Sequence, residues 1–396
     1  MRRIHFVTDV DLTEKDAQPV HVLSLAKYLS RLGLEIRLIY PEWKRESPNI
    51  PPGIIGVPIH LNQKPFASGK IFQAKVLMEL SRLPKPDVIY VRLSPGMLAP
   101  FIWANFVQVP LFLEVNGILN LEYIMMNVNV PNIKKWFIIQ RTFLIERLNF
   151  MRAKGIIFVT ENLKQYYSKR YKIPSEKSIV IPNGVDLEIF YPMDKNHVRN
   201  QLGMQDNLPI IGFIGLLAPW QGLDDAIFAI KILKERGIEC RLYIIGKGSE
   251  ENKLRILVEN LGLLGFVHFM GPLDYQRVPM YINAFDICLV PKKNLLSGVS
   301  PLKLYEYMAC GKPIVATNVQ GLSFVYEIGA GVIAQASSPQ SLAEAIEALV
   351  QRSDKWAEMG RKGRLYVETK ASWMHVAEKT AVFIKNRLEH KLFDFY

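Results

Sequence analysis

Residues 297–317 read SGVSPLKLYEYMACGKPIVAT and predict one helix followed by one buried strand. Ser300 is a favourable N-cap, and Pro301 suits the first helical position because the amide hydrogen that proline lacks would have no partner inside the helix. Gly311 and Pro313 end the helix, and the apolar residues after Pro313 form the strand. The stretch is therefore one α/β repeat, and its helix carries an acid, a cation and two tyrosines.

The start of this helix is a candidate site for an anion. The free amides of Leu302 and Lys303 and the positive end of the helix dipole favour a group such as pyrophosphate. Glu306 stands one turn later, where its carboxylate could accept hydrogen bonds from two neighbouring hydroxyls, as on a ribose. Taken alone, the local pattern favours a different interpretation, a capped amphipathic helix in which Lys303 and Glu306 form a surface ion pair worth about 0.2–0.5 kcal/mol.

The alternation of apolar strands with amphipathic helices extends outward from this stretch over most of the chain. It begins with IHFV at residues 4–7, restarts with IIGFIG at 210–215, and continues to a helix at 339–352. Alternation of this kind predicts an α/β fold with two doubly wound parallel sheets in tandem. Ligands of such sheets bind beyond the carboxyl ends of the strands, so two facing sheets would form a cleft with one ligand on each wall.

Length and turn signals set the predicted domain boundary. A chain of 396 residues with 49% apolar residues can bury two cores of ordinary size. The turn sequence Pro-Asn-Gly at residues 182–184 separates the two series of strands. We therefore predict one domain over residues 1–182 and another over 183–371, with a hinge at their joint.

Composition excludes several classes of protein. Charged residues or proline interrupt the apolar runs well short of a bilayer span, and the N-terminal residues lack the pattern of a secretory signal. The three cysteines, Cys240, Cys288 and Cys310, are widely spaced and match no metal-binding pattern. We expect them to be buried thiols in a reducing compartment, which predicts a cytoplasmic protein without a metal site.

The positive charge is concentrated in the first half of the chain. Residues 1–182 contain 25 Lys and Arg against 14 Asp and Glu, a formal charge of +11, whereas the remainder has 24 against 23. This asymmetry indicates an anionic partner, although a basic face that only maintains solubility is an equal alternative. No fold motif supports a nucleic acid as that partner.

A basic and aromatic stretch within that half suggests a membrane surface. Residues 120–154 interleave Met and aromatic residues with six Lys and Arg, as in helices that rest on anionic headgroups. The alternative is a core helix with a basic outer face. Together with the charge asymmetry, the stretch predicts a peripheral enzyme at the inner face of a membrane, acting on a lipid-linked or otherwise anionic acceptor.

Seven segments follow one another along the chain: HVLSLAKYLSRLGLEIRLI at 21–39, PLFLEVNG at 110–117, AKGIIFVTENLKQYYSKRYKIP at 153–174, IVIPNGVDLEIF at 179–190, GFIGLLAPWQGLDDAI at 212–227, LYIIGKGSEENKL at 242–254 and SPLKLYEYMACGKPIVAT at 300–317. With these residues in view, the chain resembles the retaining glycosyltransferases of family 4, which have the GT-B fold of two Rossmann-like domains. In that family the segments correspond in order to the opening helix and strand, the acceptor-side strand end, the end of the first domain, the interdomain segment, the first two repeats of the donor domain and the donor-site signature. The resemblance runs in this order over nearly the whole chain, and ordered agreement is more specific than any single motif.

The resemblance implies transfer of a sugar from a nucleotide diphosphosugar to a saccharide or lipid-linked acceptor, with the anomeric configuration retained. It implies no metal and no cofactor beyond the nucleotide sugar as co-substrate. Glu306 would hold the ribose hydroxyls, and main chain near Gly271 and Leu273 would meet the base. A last helix within residues 372–396 would pack back on the first domain, with Trp373 as its anchor.

The diphosphate side of the donor site follows from the same resemblance. The start of the signature helix, with Ser300, Leu302 and Lys303, would receive the diphosphate. Gly215, at the end of the first donor-domain strand, would lie beside it. Chemistry in such a site consists mainly of orientation and of stabilising charge on the leaving phosphate.

Several family side chains are absent from the predicted donor site. Gly298 stands where an acidic residue commonly contacts the donor sugar, eight positions before Glu306. Leu216 and Gln221 stand where an Arg and a Lys commonly steady the pyrophosphate. We expect other lysines to replace that pair, and for all but the first the alternative is a loop lysine in solvent. The candidates are Lys303, Lys247, Lys292 and Lys293.

The acceptor side departs from the family as well. Asn116 stands where a His is often found, with Glu114 close by, and we assign both as catalytic candidates together with Lys303. The alternative is that Asn116 and the following glycine form a turn. Residues 16–18 replace the paired glycines of the opening loop, His21 caps or packs on the first helix or contacts a ligand, and Arg92 either faces the cleft or is a surface cation.

Two rival functions follow from these departures. Leu216, Gln221 and Gly298, which stand in place of the family's Arg, Lys and acidic residue, would suit a catalytically silent subunit that binds nucleotide or partners. An epimerase acting on a nucleotide sugar is the other rival, because it can share the two-domain architecture.

Overall fold

The structure is a computed structural model that describes residues 1–14, 16–43, 46–62, 69–119, 132–204 and 208–389, with only the backbone described at 132–135. It divides into two compact units, Met1–Pro182 with Trp373–Tyr396, and Asn183–Ser372. Each unit is built on a parallel sheet with helices, which confirms the predicted α/β class. The first part of the basic and aromatic stretch, residues 120–131, and the side chains of Lys134 and Lys135 lie outside the described residues.

The first unit has a seven-stranded parallel sheet in the order β3-β2-β1-β4-β5-β6-β7. Its strands are β1 (Arg3–Val7), β2 (Glu35–Glu42), β3 (Ile54–His60), β4 (Val88–Arg92), β5 (Leu111–Val115), β6 (Gly155–Phe158) and β7 (Ser178–Val180). Its helices up to the second unit are α1 (Ala17–Arg31), α2 (Lys70–Arg82), α3 (Ala99–Val107), α4 (Asn132–Arg152) and α5 (Glu161–Tyr171). The central strands are buried on both faces, which explains their nearly continuous apolar sequences.

The second unit has a six-stranded parallel sheet in the order β10-β9-β8-β11-β12-β13. Its strands are β8 (Ile210–Ile214), β9 (Arg241–Ile245), β10 (Val267–Gly271), β11 (Ile287–Val290), β12 (Ile314–Thr317) and β13 (Gly331–Ala334). Its helices are α6 (Lys195–Leu202), α7 (Leu223–Glu235), α8 (Glu251–Asn260), α9 (Val278–Ala284), α10 (Leu302–Ala309), α11 (Phe324–Glu327), α12 (Pro339–Val350) and α13 (Trp356–Lys370). The strand order reverses between β8 and β11, and such a reversal is where doubly wound sheets bind ligands.

The last helix, α14 (Trp373–Glu389), belongs to the first unit. Trp373 is almost completely buried, and its ring meets the His21 ring of α1 edge-on at 5.2 Å between centroids. Phe383 meets Phe112 of β5 in the same geometry at 6.2 Å. The aromatic side chains of α14 therefore pack against α1 and β5 of the first unit.

Two further predictions concern burial. Cys240, Cys288 and Cys310 are buried free thiols, as expected. Within the part of the chain that the structure describes, no helix combines the length and apolar character needed to cross a bilayer.

Candidate functional site

The candidate donor site lies at the carboxyl ends of β8 and β11, the neighbouring strands between which the strand order of the second sheet reverses. Gly215 follows β8, Lys292 follows β11 by two residues, and the loop after β11 leads to α10. Parallel strands place these ends at one edge of the sheet, so the residues predicted from the signature sequence share that edge.

The helix of the signature sequence begins one residue later than predicted. Pro301 has extended backbone angles and no side chain caps α10, so the predicted N-cap role of Ser300 is wrong. The Ser300 hydroxyl instead accepts a hydrogen bond from the backbone N–H of Asn183 at 3.0 Å. The side-chain amide of Asn183 donates to the backbone carbonyl of Ser300 at 2.6 Å. Because no side chain occupies the start of α10, its first amides have no cap in the described residues. The predicted end is correct, since Gly311 has a φ of 69°.

Glu306 is a buried carboxyl group, 7% exposed, on α10. The Tyr275 hydroxyl donates a hydrogen bond to its Oε1 atom at 2.9 Å. Burial raises the pKa of Glu306 to about 7, although the bond from Tyr275 and the charge of Lys303 act in the opposite direction. The alternative of a surface ion pair between Lys303 and Glu306 is therefore wrong, because the carboxyl group is not at the surface.

Lys303 is held in a fixed position at the start of α10. Its ammonium lies 3.6 Å from the centroid of the Phe213 ring and donates to Oε1 of Gln221 at 3.3 Å. Burial lowers the pKa of Lys303 well below its usual value, and the charge of Lys292 lowers it further, while Glu306 raises it. A cation in this setting favours the arrival of an anion, because the anion would replace the hydration that the ammonium has lost.

Gly215 makes room for that ammonium. Its φ is 146°, and a Cβ atom at this position would lie 2.5 Å from Nζ of Lys303. Gly246, at the end of β9, has a φ of 138°, and its Cβ would lie 1.9 Å from the carbonyl oxygen of Gly215. A side chain at Gly246 would force the two loops apart, whereas one at Gly215 would displace the Lys303 ammonium and would also be strained at this φ.

Lys292 is the second cation of the site, and its side chain is 8% exposed. Burial lowers its pKa to about 8. Lys312, 9% exposed, shows how a buried structural lysine is satisfied, since its ammonium donates to the carbonyls of Asn283 at 2.7 Å and Phe285 at 2.9 Å. Within the described residues the Lys292 ammonium has no such partner, so the alternative of a solvated loop lysine is wrong for this residue.

The other two lysine candidates have different surroundings. Lys293 forms an ion pair with Asp224 at 2.7 Å, and Asp225 lies 3.9 Å from it. Lys247 is exposed, and its carbonyl accepts from the Leu217 N–H at 2.9 Å. Their replacement of the missing Arg and Lys pair stays a prediction.

The remaining predicted donor-side residues occupy the same edge of the sheet. Gly298, with a φ of 65°, donates its N–H to the Leu295 carbonyl at 3.0 Å in a turn that disfavours any larger residue. Leu216 is 51% exposed and Gln221 is buried. Leu302 is buried, Gly271 accepts from the Gly246 N–H at 2.8 Å, and Leu273 is partly buried against the core.

Sequence reasoning missed the role of two tyrosines. Tyr275 is the donor to Glu306, and no signal in the sequence relates residues that are 31 positions apart in this way. Tyr307, whose hydroxyl accepts from the Ile214 N–H at 2.8 Å, fixes α10 to the end of β8. Tyr307 lies four residues after Lys303, so the two side chains share one side of the helix. This spacing could have indicated that Tyr307 faces the sheet.

The acceptor-side candidates of the first unit form a separate cluster. Glu114 is 2% exposed at the end of β5 and accepts from Asn116 at 2.6 Å and from Tyr90 at 2.5 Å, while His21 Nε2 lies 2.7 Å from it. Burial alone would raise the pKa of Glu114, but these partners lower it to about 2. Internal partners therefore fill most of the acceptor capacity of the Glu114 carboxylate, and its catalytic role and that of Asn116 stay predictions.

Arg92 and Asp9 form a second charged group, at the carboxyl ends of β4 and β1, the neighbouring strands between which the strand order of the first sheet reverses. Arg92 donates to Oε1 of Gln18 at 3.2 Å, and its charge lowers the pKa of Asp9, although burial raises that pKa overall. Asp16 caps α1 by accepting from the Gln18 N–H at 2.9 Å. Residues 16–18 thus shape the start of α1, and they bring an amide oxygen to the Arg92 guanidinium.

Two family models match the chain. The model described as "Glycosyltransferase Family 4" matches residues 18–189, and that described as "Glycosyl transferases group 1" matches residues 194–366. Together they take in most of both units.

Within the described residues, no group of three or more His, Cys, Asp and Glu could hold a metal ion.

Curated relatives match over about half of their length. A GDP-mannose-dependent monoacylated alpha-(1-6)-phosphatidylinositol monomannoside mannosyltransferase of Corynebacterium glutamicum is 30% identical over 50% of this chain and 54% of its own length. A D-inositol 3-phosphate glycosyltransferase of Stackebrandtia nassauensis is 29% identical over 52% of this chain and 48% of its own. The chain thus spans about half the length of the curated relatives it matches.

Solved structures match over nearly the whole chain. WaaG, a glycosyltransferase involved in lipopolysaccharide biosynthesis, aligns with a TM-score of 0.74 and 18% identity over 96% of this chain and 99% of its own. HepE from Anabaena, in complex with UDP-glucose, aligns with a TM-score of 0.73 and 19% identity over 98% and 100%. At these identities the likeness shows the fold, which confirms the predicted GT-B class.

Proposed function

Since the chain belongs to the glycosyltransferases of family 4 and group 1, we propose that it moves a sugar from a nucleotide diphosphosugar to a hydroxyl of an acceptor, with retention of the anomeric configuration. The observation that carries the proposal is Glu306, a buried carboxyl group with one hydrogen-bonding side chain among the described residues, on the helix whose start holds Lys303. A carboxylate with unfilled acceptor capacity beside a partly buried ammonium matches a ligand that offers both hydroxyls and a diphosphate.

The nucleoside would bind through Glu306. Its carboxylate can accept from both ribose hydroxyls while Tyr275 retains its bond to Oε1. Burial disfavours the ionised form of Glu306 and raises its pKa to about 7. Two new donors would stabilise the charged form, so binding and ionisation of Glu306 support each other.

The diphosphate would bind at the start of α10. The first-turn amides, the helix dipole and the ammoniums of Lys303 and Lys292 all favour negative charge there. The two lysines supply the cations that Leu216 and Gln221 cannot, and Gln221 acts instead by orienting Lys303.

Catalysis then follows from charge stabilisation. As the bond from the anomeric carbon to the phosphate oxygen breaks, the same carbon forms a bond to the acceptor oxygen, whose proton passes to the leaving diphosphate. The electron pair of the broken bond stays with the diphosphate, where negative charge grows. Fixed cations in a water-poor site stabilise such charge more strongly than water does, by several kcal/mol. No nucleophilic side chain is required for this part of the reaction.

The acceptor is proposed from the charge of the first domain and from the relatives. The excess of +11 over residues 1–182 favours a phosphorylated or lipid-linked acceptor and a peripheral place at the cytoplasmic face of a membrane. The mannosyltransferase of C. glutamicum acts on a phosphatidylinositol monomannoside, as its name states, which is an acceptor of this chemistry.

The test is a panel of nucleoside diphosphates and nucleotide sugars in a thermal-shift assay, followed by calorimetry and by assays of donor hydrolysis with the preferred nucleotide. We expect Glu306→Gln to lose that affinity and Glu259→Gln, an exposed carboxylate on α8, to keep it. Unchanged affinity in Glu306→Gln would overturn the donor site. Nucleotide binding without turnover of any donor would instead support the silent subunit suggested by Gly298 and exposed Leu216.

A further inference from the structure

One helix of the first unit exposes large apolar side chains in a continuous strip. On α4, Trp136 is 56% exposed, Phe137 62%, Leu144 58% and Met151 67%. Their spacing of one, seven and seven residues places them on one side of the helix. The alternative predicted from the sequence, a core helix with a basic outer face, does not account for this side, because its exposed residues include large apolar side chains.

The same side of α4 carries positive charge and no acid. The other exposed residues described on the helix are Gln140, Arg141 and Arg147. The single acid of α4, Glu146, is buried and accepts from the Tyr171 hydroxyl at 2.6 Å, so it faces inward. We name the exposed residues the aromatic–arginine face: Trp136, Phe137, Gln140, Arg141, Leu144, Arg147 and Met151.

The apolar surface continues onto α3. Phe106 is 87% exposed and Ile102 is 43% exposed. The Arg152 guanidinium at the end of α4 donates to Oδ1 of Asn105 and to the Ala104 carbonyl, both at 3.2 Å. These bonds fix the end of α4 against the helix that carries Phe106, so the two apolar surfaces lie on neighbouring elements.

A cluster of cations adjoins the end of α4. The Lys177 ammonium donates to the Met151 carbonyl at 3.0 Å, and the Arg387 guanidinium donates to the Lys154 carbonyl at 3.1 Å. Burial lowers the pKa of Lys177, and the charges of Arg387, Lys154 and Arg152 lower it further, which shows that these four cations act on one another. Mutual repulsion of this kind is relieved by an external anionic surface.

We propose that the aromatic–arginine face, with Phe106 and the adjoining cations, docks on the headgroups of an anionic bilayer. Aromatic and aliphatic side chains would enter the interface, while Arg141 and Arg147 would reach phosphate groups. A protein partner with an apolar patch would contact the apolar residues but would not need the arginines between them. An anionic lipid surface would bind the apolar residues in its interface and the arginines at its phosphate groups. The proposal rests on the proposed function only for the reason why the enzyme needs a membrane, namely a lipid-linked acceptor.

The experiment is flotation of the protein with vesicles of phosphatidylcholine containing 40% phosphatidylglycerol, against vesicles of phosphatidylcholine alone. We expect binding to the anionic vesicles only, and we expect it to weaken with added salt. Replacing Arg141 and Arg147 by Gln should lower the vesicle partition coefficient about 30-fold. Replacing Trp136 and Phe137 by Ser should lower it at least about tenfold.

Two controls distinguish loss of the lipid-binding surface from misfolding of the variant and from binding of a second copy of the chain at the same surface. Ile256→Ser with Leu264→Ser removes apolar residues of matched exposure, 57% and 69%, from the second unit and should leave vesicle binding unchanged. Brominated lipid should quench tryptophan fluorescence in the native chain and less so in Trp136→Phe, which should still bind. Equal binding to neutral vesicles, no binding to either kind, or a dimer that is lost in the Trp136 and Phe137 variant would overturn the proposal.

Vesicle binding is measured without sugar transfer. Failure of the native chain to bind vesicles, with its nucleotide affinity intact, would therefore refute the docking surface alone. Loss of nucleotide affinity in Glu306→Gln does not bear on it.

Discussion

Glu114 and Glu306 are both buried carboxyl groups near a strand end of a parallel sheet, and each accepts a hydrogen bond from a tyrosine. Glu114 has two further partners, His21 and Asn116, and its pKa is lowered to about 2. Glu306 has Tyr275 alone among the described side chains, and its pKa is raised to about 7. Burial raises the pKa of both groups, so the difference comes from the charge of His21 and from the additional hydrogen-bond donors around Glu114.

In the proposed function, this difference separates a carboxylate held by internal partners from one that a ligand would complete. A carboxylate can accept about four hydrogen bonds, and Glu114 already fills most of that capacity within the first unit. Among the described residues, Glu306 accepts from one side chain only, and no ion-pair partner is found there for Lys303 or Lys292. The proposed donor site is therefore a place where the described residues leave charge incompletely satisfied.

The largest expected effect is on donor binding and turnover in Glu306→Gln. The amide cannot accept two charge-assisted hydrogen bonds as the carboxylate does, and each is worth about 1.5–3 kcal/mol. We expect kcat/KM for the preferred donor, measured by donor hydrolysis, to fall about 1,000-fold. A fall of less than tenfold would mean that Glu306 does not hold the ribose.

Glu114→Gln should act on stability instead. The lowered pKa of Glu114, about 2 against an ordinary value of 4.5, corresponds to about 3 kcal/mol of stability at neutral pH. Because the folded pKa is below the unfolded one, this contribution is present above pH 4.5 and is lost as the pH falls towards 2. Urea unfolding at pH 7 should show a loss of about 3 kcal/mol, with a smaller loss at pH 3.

Nucleotide affinity gives the matching control for that variant. Glu114 lies in the other unit, so Glu114→Gln should keep the native affinity for the preferred nucleoside diphosphate. Normal stability together with lost turnover would instead support the catalytic assignment of Glu114.

Glu306→Gln should have the opposite effect on stability. The folded pKa of Glu306, about 7, lies above the ordinary value of 4.5, so its contribution to stability declines as the pH rises from 4.5 to 7. At pH 8 the buried charge costs up to about 3 kcal/mol, and the neutral amide removes that cost. Urea unfolding of the nucleotide-free protein at pH 8 should therefore show a more stable variant, whereas at pH 4 the two proteins should be alike.

The sequence predicts the fold more completely than the site. Apolar runs of four to five residues between amphipathic helices indicate central strands such as β1 and β8, because burial on both faces makes these strands uniformly apolar. Edge strand β3 was not predicted, since its burial is irregular and it contains Gly56 and Pro58. Local pattern therefore specifies buried elements better than edge elements.

Long-range partners explain the errors in the site. The Ser300 hydroxyl bonds to Asn183, 117 residues away, rather than to the helix that follows it. Lys292 is buried although a loop lysine is ordinarily solvated, and its local sequence does not indicate that burial. Glu306 and Lys303 were found from the signature sequence, whereas Tyr275 required the folded chain.

Lys292→Met tests the cationic half of the comparison. The Lys292 ammonium is partly deprotonated near its pKa of about 8, and a bound diphosphate would restore the proton. Calorimetry at pH 8 in buffers of different ionisation enthalpy should show that the native chain takes up about half a proton more than the variant on binding. The variant should also bind the nucleoside diphosphate about tenfold more weakly, which corresponds to about 1.4 kcal/mol. Equal proton uptake in both proteins would show that Lys292 does not meet the diphosphate.

Lys293→Met should have the smallest effect and serves as the control for its neighbour. Lys293 already has an anionic partner in Asp224, at 2.7 Å, and both side chains are about one-third exposed. Loss of such an exposed pair changes stability by less than about 1 kcal/mol. If satisfied charges are structural and unsatisfied ones bind ligand, nucleotide affinity and proton uptake should match those of the native chain. A loss of affinity as large as that of Lys292→Met would mean that an internal ion pair does not mark a residue as structural, and the contrast between Glu114 and Glu306 would lose its basis.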